Sequence, residues 1–185
     1  MKNWRSETQR CLIIKTKALG ETDKMVVGVS QERGRFVCIA KGARKMNSSK
    51  RACLESGNLV QIYLVSNGQN GGWPILTQAK MIADCGEIRS ELKKIKQLMQ
   101  FLEVLDRVLV EEELDLRMMN GIERIREMIV SNNYSGQQIK AQLNELMSWL
   151  GFGQENEPER TRGVLNYVAE LTNQKMKSYH YLTVK

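Results

Sequence analysis

The chemistry of this chain is concentrated in eleven residues. Between positions 41 and 51 five residues are basic (Lys41, Arg44, Lys45, Lys50, Arg51) and none is acidic. Fixed positive charge at that density neutralises a polyanion; it neither makes nor breaks bonds. The segment Ala40-Lys41-Gly42-Ala43-Arg44-Lys45 reads as a strand end running into a turn. Such a turn delivers Lys41 and Arg44 to the lip of a sheet, and Gly42 lets backbone amides come close to an anionic chain. Lys15, Lys17, Lys24, Arg33 and Arg35 lie in or beside neighbouring strand-like segments. Trp4, Phe36, Tyr63 and Trp73 are the aromatic side chains available for stacking on bases, although Phe36 fits a core position better. A basic groove with stacking side chains holds a single nucleic-acid strand without reading its sequence. Excess lysine that merely keeps a surface soluble is the plainer alternative, and the clustering argues against it.

Catalytic patterns are missing from the sequence. It has no Walker phosphate loop, no G-x-S-x-G elbow and no H-E-x-x-H. Gly68, Gly71 and Gly72 make a glycine-rich stretch with no Lys-Ser/Thr behind it, which reads as a loop. Glu21 and Asp23 form a carboxylate pair that a turn explains. Cys11, Cys38, Cys53 and Cys85 are spaced too widely for a zinc knuckle. Cys11 and Cys38 sit in apolar runs and read as small buried hydrophobes. The single histidine, His180, reads as a surface residue. No enzymatic activity, metal or cofactor is expected.

Two textures carry these residues. The first 80 residues read as about five short strands separated by turns. They are Cys11-Leu12-Ile13-Ile14, Met25-Val26-Val27-Gly28-Val29, Arg35 to Ala40, Leu59 to Val65, and a run restarting at Trp73-Pro74. Phe36, Cys38 and Ala40 share one face at period two, as do Val60, Ile62 and Leu64. Pro74 suits a strand start or edge. After residue 83 the period becomes helical. Asp84 to Glu87 resembles a capping box ahead of a stripe of Ile88, Leu92, Ile95, Leu98, Met99, Leu102, Leu105 and Leu109. Glu111, Glu112 and Glu113 suit the first turn of a second helix, with Leu114, Met118, Ile122, Ile125 and Met128 or Ile129 as its stripe. Ser135 to Gln138 resembles a further capping box, and that third helix ends at Gly151. A polar linker at 154–159 precedes a fourth helix carrying Val164, Leu165, Val168 and Leu171. The expected fold class is α+β, with an N-terminal five-stranded barrel or sandwich over 1–82 and a helical bundle over 83–185.

The bulk numbers agree with a globular chain. Of 185 residues, 42% are hydrophobic and 26% charged, which is neither disordered nor fibrous. The longest apolar runs are a few residues, far short of the roughly 18–20 a membrane span needs. A soluble, cytoplasmic protein with no membrane partner is expected. The net charge of +7 is uneven: the first 80 residues hold 14 Lys and Arg against 5 Asp and Glu, the remainder 14 against 16.

Four pieces in order carry a resemblance: Leu19-Gly20-Glu21-Thr22-Asp23-Lys24, Glu32-Arg33-Gly34-Arg35, Ala40 to Lys45, and Leu54-Glu55. Over residues 8–82 they resemble the N-terminal domain of the bacterial recombination mediator RecO. Leu146-Met147-Ser148-Trp149-Leu150-Gly151 and Lys177-Ser178 are a weaker echo. The resemblance implies an OB-fold, a five-stranded Greek-key barrel, and a nucleoid-associated role in DNA repair and recombination. It implies binding of single- and double-stranded DNA, strand annealing and help in loading the recombinase RecA. The implied partners are RecR and the acidic tail of the single-stranded DNA-binding protein. The chain departs from the family in being short and in lacking the Cys-x-x-Cys pairs that hold zinc in some members.

The residues expected to contact phosphates are Lys41, Arg44 and Lys45 first, then Lys24, Arg35, Lys50 and Arg51. An RNA-binding barrel fits the same basic face. So does an interaction scaffold whose helices do the work and whose basic face is incidental. A hydrolase or nuclease is the most distant alternative.

Overall fold

The computed structural model describes residues 4–67, 72–131, 133–152, 164–174 and 176–177. The linker at 154–159 and His180 lie outside the described residues. Five strands come first: β1 (Trp4–Leu19), β2 (Asp23–Ser30), β3 (Gly34–Ala40), β4 (Leu59–Asn67) and β5 (Ile75–Ala83). A four-residue helix, α1 (Lys50–Cys53), stands between β3 and β4. The strands close into a barrel in the order β1-β2-β3-β5-β4, with β4 paired back onto β1. β3 and β5 run parallel and meet only at Ile39–Ile75 and Ala40–Leu76; the other pairings are antiparallel. This connectivity is the Greek-key barrel of the OB-fold, and helices follow it.

Period-two alternation puts the barrel core where the sequence places it. Phe36, Cys38 and Ala40 of β3 are buried, as are Val60, Ile62 and Leu64 of β4, together with Cys11, Ile13, Val26, Leu54 and Leu76. Full burial of an aliphatic side chain contributes about 1.5–3 kcal/mol, and this cluster supplies most of what holds the barrel. Two strands depart from the runs read in the sequence: β1 is longer and β5 starts later. β1 spans sixteen residues, because Gln9 lies inside the barrel and accepts a hydrogen bond at its Oε1 from Ser30 Oγ (2.9 Å). A register shift between Ile13 and Lys15 then re-phases the strand. β5 begins at Ile75 rather than at Trp73, with Pro74 contributing its carbonyl to Ile39 N–H (2.9 Å).

The chain divides into two compact units, the first being Met1–Cys85 with Leu109–Leu114 and the second Gly86–Val108 with Asp115–Lys185. In the first unit, Val110 O accepts from Arg35 N–H (2.9 Å) and Leu114 N–H donates to Gln31 O (2.7 Å). Gly34 makes the approach possible. Its φ is +59°, and a Cβ there would run into the Glu112 carbonyl oxygen and stand 2.6 Å from Val110 O. Glu111 lies 3.7 Å from Arg33, which also pairs with Glu7. The acids at 111–113 therefore do not open a helix, as their charge suggested. That helix, α3 (Leu116–Val130), is capped by Asp115, whose carboxylate accepts from Arg117 N–H (2.7 Å).

The second unit holds a 3-10 turn (Gly86–Ser90), α2 (Leu92–Val108), α3, α4 (Gly136–Met147), a π-helical turn (Ser148–Phe152) and α5 (Val164–Leu171). The α-helix starts at Leu92, not at Ile88 behind a box at 84–87. Cys85 N–H is already spent on Asn58 Oδ1 (3.1 Å) and its thiol lies 3.0 Å from Gly57 O, so the chain is pinned just where the helix was expected to begin. The box at Ser135 forms in full: Ser135 Oγ accepts from Gln138 N–H and Gln138 Oε1 from Ser135 N–H (2.8 Å). Leu98, Phe101, Leu102 and Leu105 of α2 and Ile122, Ile125 and Ile129 of α3 form the buried stripes.

Candidate nucleic-acid interface

Two loops meet at one end of the barrel. The first is the turn at 19–23 between β1 and β2; the second runs from 41 to 49 between β3 and α1. They hold each other by backbone and carboxylate contacts. Gly42, at φ +65°, donates its N–H to Asp23 Oδ1 (2.8 Å), and Thr22 Oγ1 donates to the same oxygen (2.9 Å). Arg44 N–H donates to Thr22 O (2.8 Å), while Arg44 Nη1 donates to Gly20 O (2.6 Å). The Gly42 N–H, the Thr22 hydroxyl and the charges of Lys41 and Lys50 hold the Asp23 carboxyl below its usual range. The two sequence pieces around 19–24 and 40–45 are thus halves of one brace.

The brace divides the cations into two groups. Lys24 Nζ is 3.2 Å from Glu55 Oε1, which joins the Leu54-Glu55 piece to the same corner. Lys50 Nζ donates to Lys41 O (2.7 Å) and Arg44 to Gly20 O, so these three cations shape the loops from within. Lys41, Lys45 and Arg51 are exposed, and among the described residues their charged groups have no hydrogen-bond or ion-pair partner, although the Lys41 charge acts on Asp23. Lys17, on β1 next to the first turn, is in the same condition. Met46, next to Lys45 in the second loop, has 92% of its surface exposed.

Arg35 is not brought to this corner. It sits at the far end of β3 beside Gly34, six residues from Lys41, or about 20 Å along a strand. Arg33 lies at that end too and pairs with Glu7. Of the aromatic candidates, Phe36 is in the core at 1% exposure. Tyr63 (44%) and Trp73 (52%) are exposed, and the Trp4 side chain lies outside the described residues.

The second unit has a feature of its own that no spacing in the sequence announced. Between α3 and α4 lies a groove of about 530 Å³ lined by Arg117, Arg124, Trp149, Leu116, Asn120 and Glu145 among others. The Arg117 guanidinium stacks 4.2 Å from the Trp149 ring centre. Gly121 leaves room for that ring, since a Cβ there would stand 2.9 Å from Trp149 Cζ3. The signal available beforehand was the Trp149 segment alone.

The four cysteines are buried free thiols. Burial pushes the Cys38 thiol up to about 12 and raises Cys11 well above its ordinary value. Cys11 and Cys38 fill space in the barrel core. No helix among the described residues is long and apolar enough to cross a membrane.

Comparison with known proteins points the same way. A family described as "Recombination protein O N terminal" matches residues 1–84. A DNA repair protein RecO from Syntrophomonas wolfei is 28% identical over 102 residues, covering 55% of this chain and 40% of the relative. Proteins of the same name from Streptomyces avermitilis (31% over 78 residues; 40% of this chain, 32% of the relative) and Cutibacterium acnes (36% over 61; 33% and 24%) also match. The match thus spans well under half the length of these curated relatives.

Proposed function

We propose that the chain belongs to the RecO family, whose N-terminal model residues 1–84 match, and that it is a non-enzymatic DNA-binding protein of recombinational repair. In this reading it anneals complementary single strands and assists RecA loading. The observation that carries the proposal is the braced corner. Two loops are fixed by Asp23, Gly42 and Arg44, and they leave Lys41, Lys45 and Arg51 exposed on the first unit with no hydrogen-bond or ion-pair partner among the described residues.

Chemically, the corner needs only to neutralise phosphate. Two complementary strands repel each other, and cations held at fixed positions lower that repulsion while the bases find their register. The brace spends ordering entropy in advance, so the loop amides and side chains are in place before a strand arrives. No nucleotide or metal enters such a step. Exposed Trp73 provides a stacking surface that tolerates any base.

The partners follow as part of the same reading. RecR and the acidic tail of the single-stranded DNA-binding protein are the partners of a RecO mediator. The α3–α4 groove is where we place the tail: Arg117 and Arg124 line it for carboxylates, beside Asp115 and Glu145, and Trp149 with exposed Leu116 offers an apolar seat.

The deciding experiment is annealing of two complementary labelled strands by the full chain, without nucleotide, across a salt titration. Faster annealing that fades as salt rises is the expected result. Binding without annealing reduces the chain to a single-strand binder, and tighter competition by RNA than by DNA of equal length assigns it to RNA. No effect at low salt overturns the proposal.

A further inference from the structure

Annealing requires that two strands be held, and the braced corner accounts for one of them. We propose that the outer face of β1, β4 and β5 is a second strand-binding surface. There Tyr63 stacks on a base of one DNA strand, and Arg10 and Lys80 engage its phosphates. The inference rests on the nucleic-acid reading above and adds to it a site that the loops do not include.

The register assembles this face. Arg10 of β1 is opposite Gln61 of β4, which is opposite Lys80 of β5. In the next row on the same side, Thr8 is opposite Tyr63, and Tyr63 opposite Gln78. The inward neighbours Cys11, Val60, Ile62 and Leu64 are buried, so these six point outward by strand alternation. All six are exposed. The face therefore stands open, whereas the outward positions of β2 and β3 (Met25, Val27, Val29, Val37, Ile39) are buried or half-buried.

Charge and shape select the occupant. None of the six is acidic, and Glu7, the nearest acid along β1, alternates to the other side and pairs with Arg33. Strands are spaced about 5 Å apart, so Arg10 and Lys80 leave the sheet about 10 Å apart, with Tyr63 one row beyond and between them. Two cations flanking an exposed ring form the combination that holds a single strand: phosphates to the sides, a base on the ring. Thr8, Gln61 and Gln78 fill the gaps with polar groups that tolerate any sequence. A protein partner would gain little from this surface, since its exposed apolar groups are Tyr63 and, two residues along β5 from Lys80, Ile82.

The test uses the full chain and three variants: Tyr63→Ala with Lys80→Gln, Tyr63→Phe, and Lys41→Ala with Lys45→Ala. Two readouts are taken, binding of one labelled strand and the rate of pairing with its complement. Tyr63→Ala with Lys80→Gln is expected to keep first-strand binding within about twofold while slowing pairing about tenfold, the loss expected of one stacked base and one phosphate contact. Tyr63→Phe should pair at the original rate, because the ring remains. Pairing unchanged in the Tyr63/Lys80 variant overturns the second surface, while the Lys41/Lys45 variant still loses binding and keeps the nucleic-acid reading standing. If the Lys41/Lys45 variant loses neither binding nor pairing, that reading itself fails. A strand carrying 5-bromodeoxyuridine, photocrosslinked to the unaltered chain, supplies an answer that does not depend on the variants folding. An adduct at Tyr63 supports the surface, and adducts confined to 41–51 overturn it.

Discussion

Removing a negative charge from a corner proposed to bind DNA should tighten binding if cations simply add up. Asp23 makes the opposite prediction. Its carboxylate holds the Gly42 N–H and the Thr22 hydroxyl, so Asp23→Ala frees both loops although the net charge rises by one. DNA affinity is expected to fall a few-fold and the Gly42 amide to exchange faster, with Asp23→Asn between the two because it retains an acceptor. Tighter binding by Asp23→Ala would show that charge count alone governs. The pH dependence has a definite sign. The folded carboxyl titrates below its ordinary 3.8, so the brace is complete above about pH 4 and is lost as pH falls through the depressed value; Gly42 amide exchange followed from pH 6 to 2 checks this. The thiols act at the other end of the scale. With Cys38 pushed up to about 12 and Cys11 raised, the unfolded chain ionises these groups near pH 9 while the folded chain does not. Stability should therefore decline between about pH 9 and 12, with both thiols unreactive to iodoacetamide at pH 8 until the chain is unfolded.

Among the elements, strands were legible where alternation was pure and obscure where a polar residue was buried. Phe36-Val37-Cys38-Ile39-Ala40 and Val60 to Leu64 alternate cleanly, and both faces are as the pattern implies. β1 was foreshortened because Gln9 looks like a loop residue until Ser30 is seen beside it. The Ser135 cap was legible because both its bonds are local. The start of α2 was not, because what stops it is Asn58, far away in sequence. The Glu111–Glu113 run misled for the same reason: its role is set by Gly34 and Arg33, which no helical periodicity can reveal. The candidate site was half legible. The cations could be counted from the sequence, but the ones the brace consumes could not be told from the exposed ones. A test at this scale is Gly34→Ala. A left-handed residue gains a Cβ that meets two carbonyl oxygens, so unfolding by urea should show a loss of about 1–3 kcal/mol, whereas Gly20→Ala, with nothing within 4 Å, should lose less.

On the scale of the whole molecule, the positive charge belongs to the first 80 residues and the slight negative excess to the rest. DNA affinity should therefore be governed by a few cations on one unit. Replacing both Lys41 and Lys45 by alanine should reduce the slope of log affinity against log salt by about 1.4 for single strands, 0.7 for each lost contact. Replacing Lys93, an exposed lysine of α2 on the other unit, should leave the slope unchanged. A titration of single-strand binding between 50 and 200 mM salt separates the two outcomes.

The first unit is discontinuous along the chain, since Leu109–Leu114 belongs with the barrel although α2 intervenes. During synthesis at about 5–20 residues per second, the five strands have all emerged several seconds before the piece that caps Gly34 and Arg35. For that interval the margin of β3 stands bare, and a bare strand margin is a template for another chain. A nascent barrel on a crowded polysome is therefore open to mispairing until residue 114 has left the ribosome. A gene fragment stopping at residue 85 would make that passing state permanent.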